Sequence, residues 1–396
     1  MNYRVNPKNN DRLSLLGLGC MRFTKKGTVI DQENAERVML SAIEQGINYF
    51  DCAYIYPGIE VSVGKFLAKG YRDKVHIATK LPHYFVKRPG DLDRYFNEQL
   101  RRLQTDRIDY YLMHMLGDMG SWERIRQYGI EEWAEAKKAS GQIRNFGFSF
   151  HGSSESFKKL VDAYDWDFCM IQYNYIDETS QAGVSGLRYA SEKGLPVIIM
   201  EPLRGGRLAN IPSEAKALFD RFDTSRSRTY AQWALRWLFC QKEVTVVLSG
   251  MNTPGQVLEN SSAASEDYQS GLSDEEKELY SKVRDIIRGK VKVPCTGCGY
   301  CMPCPRGVDI PVCFNCLNTR YSEGWYMGMK EYFMCTTLGV DSTAASKCIK
   351  CGKCEQHCPQ EIEIRNMLEL VTRKLETPAY KVAKRVSKII GYYKHQ

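Results

Sequence analysis

Asp51, Tyr56, Lys80 and His114 are four residues whose side chains complement one another chemically. A tyrosine hydroxyl with an ordinary pKa of about 10 is a poor acid at neutral pH. An ammonium beside it, here that of Lys80, stabilises the phenolate and lowers that value, while a carboxylate such as Asp51 keeps the lysine charged and oriented. A histidine such as His114 can donate a hydrogen bond to a carbonyl oxygen and fix its direction. Together the four make a general acid aimed at an oxygen that becomes negative as hydride reaches carbon. Singly, each has a plainer reading: a core histidine within YYLMHML, or a structural Asp–Lys ion pair.

The other reactive groups are cysteines. Eleven of the fifteen fall between Cys295 and Cys358, and in a chain expected in a reducing compartment they are not a disulfide framework. Cys348, Cys351, Cys354 and Cys358, followed by Pro359, have the C-x2-C-x2-C-x3-C-P spacing by which successive thiolates reach successive irons of a four-iron cubane. Cys295, Cys298, Cys301 and Cys304, followed by Pro305, repeat it one residue shorter. Zinc sites use two separated pairs more often than stepped triplets. Cys313 and Cys316 form an extra C-x2-C pair between the runs and Cys335 follows; all three are expected to be spare buried thiols.

These groups need elements to hold them. Apolar runs at 14–22, 47–51, 75–80, 108–115, 143–150, 168–175, 196–203 and 244–251 read as strands, with helix-period segments between them. In DQENAERVMLSAIEQG, Asp31 is the expected N-cap and Gly46 the stop. Eight alternations, with no GxGxxG early in the chain, predict an α/β fold of the (β/α)8 TIM-barrel type rather than a doubly wound sheet. In such a barrel Asp51, Lys80 and His114 close three successive strands and Tyr56 follows the first, so all four converge on the C-terminal rim.

The predicted organisation is a barrel over 1–270, a helical linker over 271–290, a mainly helical cluster-binding domain over 291–370 and a basic tail over 371–396. The net charge of +8 is mostly that tail, where seven Lys/Arg stand against one Glu. A nucleic-acid partner is therefore not expected; a solvated helix, or contact with an acidic partner or anionic surface, is. The hydrophobic content of 43% suits a globular protein. With no long apolar run and no signal-like start, a cytoplasmic protein without a transmembrane segment is expected.

In order along the chain, DCAYIY (51–56), TKLP (79–82), IDYYLMH (108–114), GQIRNFGFS (141–149), EPLRGG (201–206) and the late Gln256 with Glu259-Asn260 resemble the landmarks of the aldo-keto reductases. The likeness covers roughly 10–265. It implies a catalytic tetrad of Asp51, Tyr56, Lys80 and His114, and NADP(H) or NAD(H) lying across the rim. It places Ser149 and Gln172 at the nicotinamide carboxamide, Pro202, Leu203, Arg204, Gly205 and Gly206 along the pyrophosphate, and Glu259 and Asn260 at the adenine. The chain departs from the family in carrying Phe150 after Ser149, Met200 where many members stack a tyrosine, and Gly250 and Gln256 where many carry a Lys and an Arg for the 2′-phosphate. Arg204 and Arg207 are either substitute phosphate ligands or surface arginines.

The cysteine-rich end is similar to helical dicluster domains, and its fusion to an aldo-keto reductase barrel is itself a subfamily pattern. As in two-cluster ferredoxins, Cys295, Cys298, Cys301 and Cys358 would hold one [4Fe-4S] cluster, and Cys348, Cys351, Cys354 and Cys304 the other. The implied function is an oxidoreductase acting on a small carbonyl or alcohol. Two alternatives stand beside it. In one, a ferredoxin-like electron donor or acceptor feeds a flavin lying on Phe150 and Met200, because nicotinamide does not readily exchange single electrons. In the other, the barrel is non-catalytic in an electron-transfer or redox-sensor subunit. Tyr54, Tyr84 and Phe85 are candidate linings of an apolar substrate pocket.

Overall fold

A computed structural model of the protein describes residues 1–151, 154–179, 181–337 and 342–389. Lys394 of the basic tail, and Gly152 and Ser153 of the HGSSES rim loop, lie outside them. The chain forms two units, residues 1–209 with 228–276, and 210–227 with the described residues from 277 onward.

The first unit contains eight parallel strands: β1 (Leu16–Gly19), β2 (Tyr49–Asp51), β3 (His76–Leu81), β4 (Ile108–Leu116), β5 (Ile143–Phe150), β6 (Phe168–Gln172), β7 (Val197–Met200) and β8 (Val244–Ser249). Each pairs with the next and β8 pairs with β1, closing a barrel. The strand expected over 14–22 is shorter because Cys20–Arg22 winds into a 3-10 turn. The first helix, Gln32–Glu44, starts on the Asp31 side chain, which accepts the Asn34 N–H, and gives way to Gly46 at φ 84°.

Side chains alternate across a strand. Tyr49, Ala78, Leu112, Met170, Ile198 and Leu248 fill the barrel interior, with Leu13 from the N-terminal hairpin in the same cluster. Two residues further on, toward the C-terminal ends, come Asp51, Lys80, His114, Gln172, Met200 and Gly250. The period of two therefore turns this whole ring into the barrel mouth.

The division into units differs from the one expected at 270. One helix, Asp274–Lys290, spans the expected linker. Its first turn stays with the barrel, where Glu276 pairs with Arg236 at 2.7 Å. The helix Ser213–Phe222 belongs to the second unit, where the Phe219 ring lies 5.8 Å from that of Tyr280.

The second unit is built on a repeat. In each cysteine run, the residue two after the first cysteine and the glycine two further on take left-handed backbone: Gly297 and Gly299 at φ 72° and 81°, Lys350 and Gly352 at 58° and 77°. The N–H of Gly297 points to Cys295 Sγ and that of Lys350 to Cys348 Sγ, both at 3.4 Å. Each run then turns past its Cys-Pro and enters a helix, Ile310–Glu323 and Ile364–Leu375 respectively. Val308, Ile310, Ile362 and Ile364, from matching positions, share one core with Phe314, Leu317, Leu368 and Val371. The segment expected as one helix between the runs is two, Ile310–Glu323 and Trp325–Thr337, because the chain turns at Gly324 with φ 102°.

Candidate active site and metal centre

Lys80 Nζ donates to both Asp51 carboxylate oxygens at 2.6 and 2.7 Å and to the Cys52 carbonyl at 2.6 Å. Both side chains are buried. Burial pulls the lysine toward neutrality, but the charges of Asp51 and Tyr56 outweigh it and hold its pKa above the ordinary value. Burial likewise pushes the Asp51 carboxyl up, against the pull of Lys80. Three short hydrogen bonds keep the pair ionised. Outside the barrel, Thr79 donates to Glu60 at 2.7 Å and Gln99 Nε2 to the Lys80 carbonyl at 3.1 Å. These bonds fix β3 so that Lys80 faces inward.

Half-buried Tyr56 lies over the pair, with Lys80 Nζ 5.4 Å from its ring centroid. The His114 ring meets it edge to face at 6.1 Å, and Tyr84 lies 6.4 Å from His114. Burial, then the charge of Lys80, holds His114 well below the usual histidine range, so its imidazole is neutral at pH 7. His83 and His151, close enough to act on His114, are themselves lowered by burial to about 4. The structure gathers Asp51, Tyr56, Lys80 and His114 at one end of the barrel, as the sequence reading expected, but that reading missed these two histidines, which no periodicity marks. Of the expected pocket aromatics, Tyr84 stands at the mouth, whereas Tyr54 packs on Tyr95 and Arg102.

Strand β4 bulges at His114. Met113 pairs with Phe148 and Leu116 with Phe150, leaving His114 and Met115 opposite Ser149 alone. Met115 takes φ 58°, and its N–H donates to Ser149 Oγ at 2.9 Å. Ser149 Oγ also lies 3.4 Å from the Met113 carbonyl, as donor.

Gln172 is fully buried, with Nε2 donating to Asp177 at 2.8 Å and Oε1 without a hydrogen-bond partner among the described residues. Asp177 also receives Asn174 Nδ2 at 3.0 Å and pairs with Arg204 at 3.0 Å. Arg204 is thus neither a surface arginine nor an exposed phosphate ligand, being 3% exposed and ion-paired. This pair anchors a tight turn in which Glu201, Arg204, Gly205 and Gly206 all take positive φ. Buried Asn260 donates to Ser249 at 3.2 Å, while Glu259 receives the Thr229 hydroxyl at 2.5 Å. Gln256 is exposed and accepts the Asn252 N–H at 2.8 Å, and Gly250 is exposed. Phe150 is buried against Phe148 and Phe157 at 6.5 and 5.0 Å, in the wall rather than as a platform for a flat ring. Met200 packs on the interior cluster.

In the second unit Cys295, Cys298, Cys301 and Cys358 line one cavity with Thr296, Gln360 and Ile310. Thr296 Oγ1 and Gln360 Nε2 are buried there without a hydrogen-bond partner among the described residues, two donors suited to a sulfide-bearing group. Burial, then Cys295, Cys298 and Cys358, pushes the Cys301 thiol up. Cys304, Cys348, Cys354 and Cys358 pack on the same core. Among the described residues no three His, Cys, Asp or Glu side chains gather closely enough to hold a single metal ion. Cys313 and Cys316 are buried as expected; Cys335 is exposed, which corrects its reading as a buried thiol.

A closed parallel barrel with this polar ring at its C-terminal mouth defines a protein of the (β/α)8 class. The chain belongs to the aldo/keto reductase family, which residues 15–276 match, and residues 294–363 match a 4Fe-4S dicluster domain. The uncharacterized oxidoreductase YrpG of Bacillus subtilis is 30% identical over 233 residues, 52% of this chain and 68% of that one. L-Galactose dehydrogenase of Arabidopsis thaliana is 26% identical over 302 residues, 70% and 91% of the two chains. Among solved structures, the holo form of an aldo-keto reductase from Bacillus halodurans has a TM-score of 0.59 and 26% identity, covering 72% of this chain and 96% of its own. An aldo/keto reductase from Klebsiella pneumoniae in complex with NADP and acetate shares the fold, with a TM-score of 0.59, 24% identity and the same coverage. No helix among the described residues is long and apolar enough to cross a membrane.

Proposed function

We propose that the barrel reduces a small carbonyl compound, or oxidises the matching alcohol, with Tyr56 as general acid and NAD(P)H as the second substrate. The carrying observation is the buried Asp51–Lys80 ion pair directly beneath the Tyr56 ring. All three Lys80 protons go to Asp51 and Cys52, so the ammonium acts on Tyr56 through its charge, favouring the phenolate left after proton transfer. Neutral His114 donates one N–H to the substrate oxygen and orients it without competing as an acid. Tyr56 delivers its proton to that oxygen as the carbonyl carbon gains hydride, which bound NAD(P)H supplies.

The buried Gln172 Oε1, with no hydrogen-bond partner among the described residues, is an acceptor suited to the amide N–H of a nicotinamide. Pro202, Leu203, Gly205 and Gly206 offer turn backbone to a pyrophosphate, with Glu259, Gln256 and Gly250 further along the rim. Arg204 supports that turn through Asp177. In the second unit, Cys295, Cys298, Cys301 and Cys358 would hold one [4Fe-4S] cluster, and Cys304, Cys348, Cys351 and Cys354 a second, which supply single-electron chemistry. That set needs a reducing compartment, the cytoplasm in this reading.

The test is Tyr56→Phe. Turnover of NADPH with an aldehyde such as 4-nitrobenzaldehyde is expected to fall by about 10²- to 10⁴-fold with NADPH binding retained. Unchanged turnover would remove Tyr56 from the mechanism.

A further inference from the structure

We propose that the helix Pro378–Ile389 is a docking surface for an anionic phospholipid bilayer, resting on its headgroups through Val382 and Val386. The inference is independent of the reaction assigned to the barrel.

The helix is held to its own unit by one side. Tyr380 is 1% exposed, and its ring lies 5.5 and 6.1 Å from those of Tyr332 and Phe333. Its hydroxyl meets Thr337 Oγ1 at 2.7 Å. Successive helical residues stand about 100° apart, so Val382, two positions on, points about 160° away from Tyr380. Val386 follows on that face one turn later. The two valines are 59% and 45% exposed, the reverse of an ordinary surface helix, whose apolar stripe faces the core. Lys381 and Arg385, each just before a valine, are exposed beside them.

The charge of this face has one sign. After Glu376 the sequence holds no Asp or Glu. Glu376 itself is buried, accepting the Tyr332 hydroxyl at 2.8 Å and the Ser346 N–H at 3.0 Å. The sequence continues with Ile389, Ile390, Tyr392, Tyr393 and Lys394, residue types that suit a membrane–water interface. A second copy of the helix would set like charges against one another, and an acidic protein would need a matching groove to cover the valines. A fluid headgroup layer needs no groove: the valines insert while Lys and Arg reach the phosphates along their flexible stems.

The experiment floats the full-length, cluster-loaded protein with vesicles of phosphatidylcholine, alone or with about 30% phosphatidylglycerol, at about 0.05 and 0.3 M salt. Two paired variants are compared with the wild type: Val382→Ser with Val386→Ser, and Lys381→Gln with Arg385→Gln. All four side chains are exposed, so iron content and thermal unfolding should not change. The wild type should bind the anionic vesicles at least about tenfold more tightly than the zwitterionic ones, and less so at the higher salt. Each pair of substitutions should weaken that binding about tenfold or more. Absence of binding to the anionic vesicles would overturn the proposal. So would binding that the valine pair leaves unchanged, because the contact would then be one of charge alone. Retention on an immobilised acidic ferredoxin without vesicle binding would overturn it in favour of a protein partner.

Discussion

Each proton on Lys80 Nζ is taken by Asp51 or by the Cys52 carbonyl, so the lysine and its carboxylate form one unit in structure as well as in chemistry. Lys80→Met would leave a buried carboxylate without its counter-charge, a loss of about 3–5 kcal/mol of stability measurable by urea denaturation. Adding Asp51→Asn should recover most of that stability while aldehyde reduction stays lost, which separates the pair's two roles. The neutral histidines add a pH dependence. His83 and His151 fall from an ordinary 6.5 to about 4 in the fold. The unfolded chain therefore binds protons below pH 6.5 that the folded one refuses. Stability is full above pH 6.5 and declines toward pH 4, by about 1.4 kcal/mol per pH unit for each histidine. Denaturation midpoints at pH 7, 6 and 5 should show this slope, and His151→Gln should reduce it. At this scale the convergence of Asp51, Tyr56, Lys80 and His114 was legible because residue type and strand-end position coincide. Arg204 was not: its partner Asp177 lies in another loop, and EPLRGG alone does not reveal that the arginine turns inward.

The eight strands were readable from runs of aromatic and branched residues, and only their ends moved, as where Cys20–Arg22 leaves β1 for a 3-10 turn. The β4 bulge was not readable. IDYYLMHML is apolar almost throughout, so a one-residue slip leaves no mark on its pattern. Its only trace is Gly117, whose place against the His151 carbonyl excludes any side chain. Gly117→Ala should force β4 and β5 apart beyond the bulge and cost about 1–3 kcal/mol. Thermal unfolding would register that loss. Aldehyde reduction should fall by more than the fraction of unfolded protein explains, because β4 carries His114. A Gly117→Ala protein with wild-type kcat would mean that the bulge does not depend on this closure.

Over the whole molecule, the cysteine spacing pointed to an iron–sulfur domain but could not show that the runs are copies of one backbone unit, because the match lies in φ values and buried positions as well as in letters. Lys350 occupies the left-handed position that Gly297 fills in the other copy. Two such copies sharing one core bring the end of one run against the start of the other, as the cavity lined by Cys295, Cys298, Cys301 and Cys358 shows. This arrangement can be separated from a sequential one, in which Cys304 completes the first set, by pairs of substitutions. Two serines in one ligand set disable one cluster; two serines in different sets disable both. If Cys358 completes the first set, Cys295→Ser with Cys358→Ser should keep about half the iron and one reduced-cluster EPR signal. Cys295→Ser with Cys304→Ser should then lose nearly all of it. The sequential arrangement requires the opposite ranking of the same two proteins, so iron content alone decides which cysteine crosses.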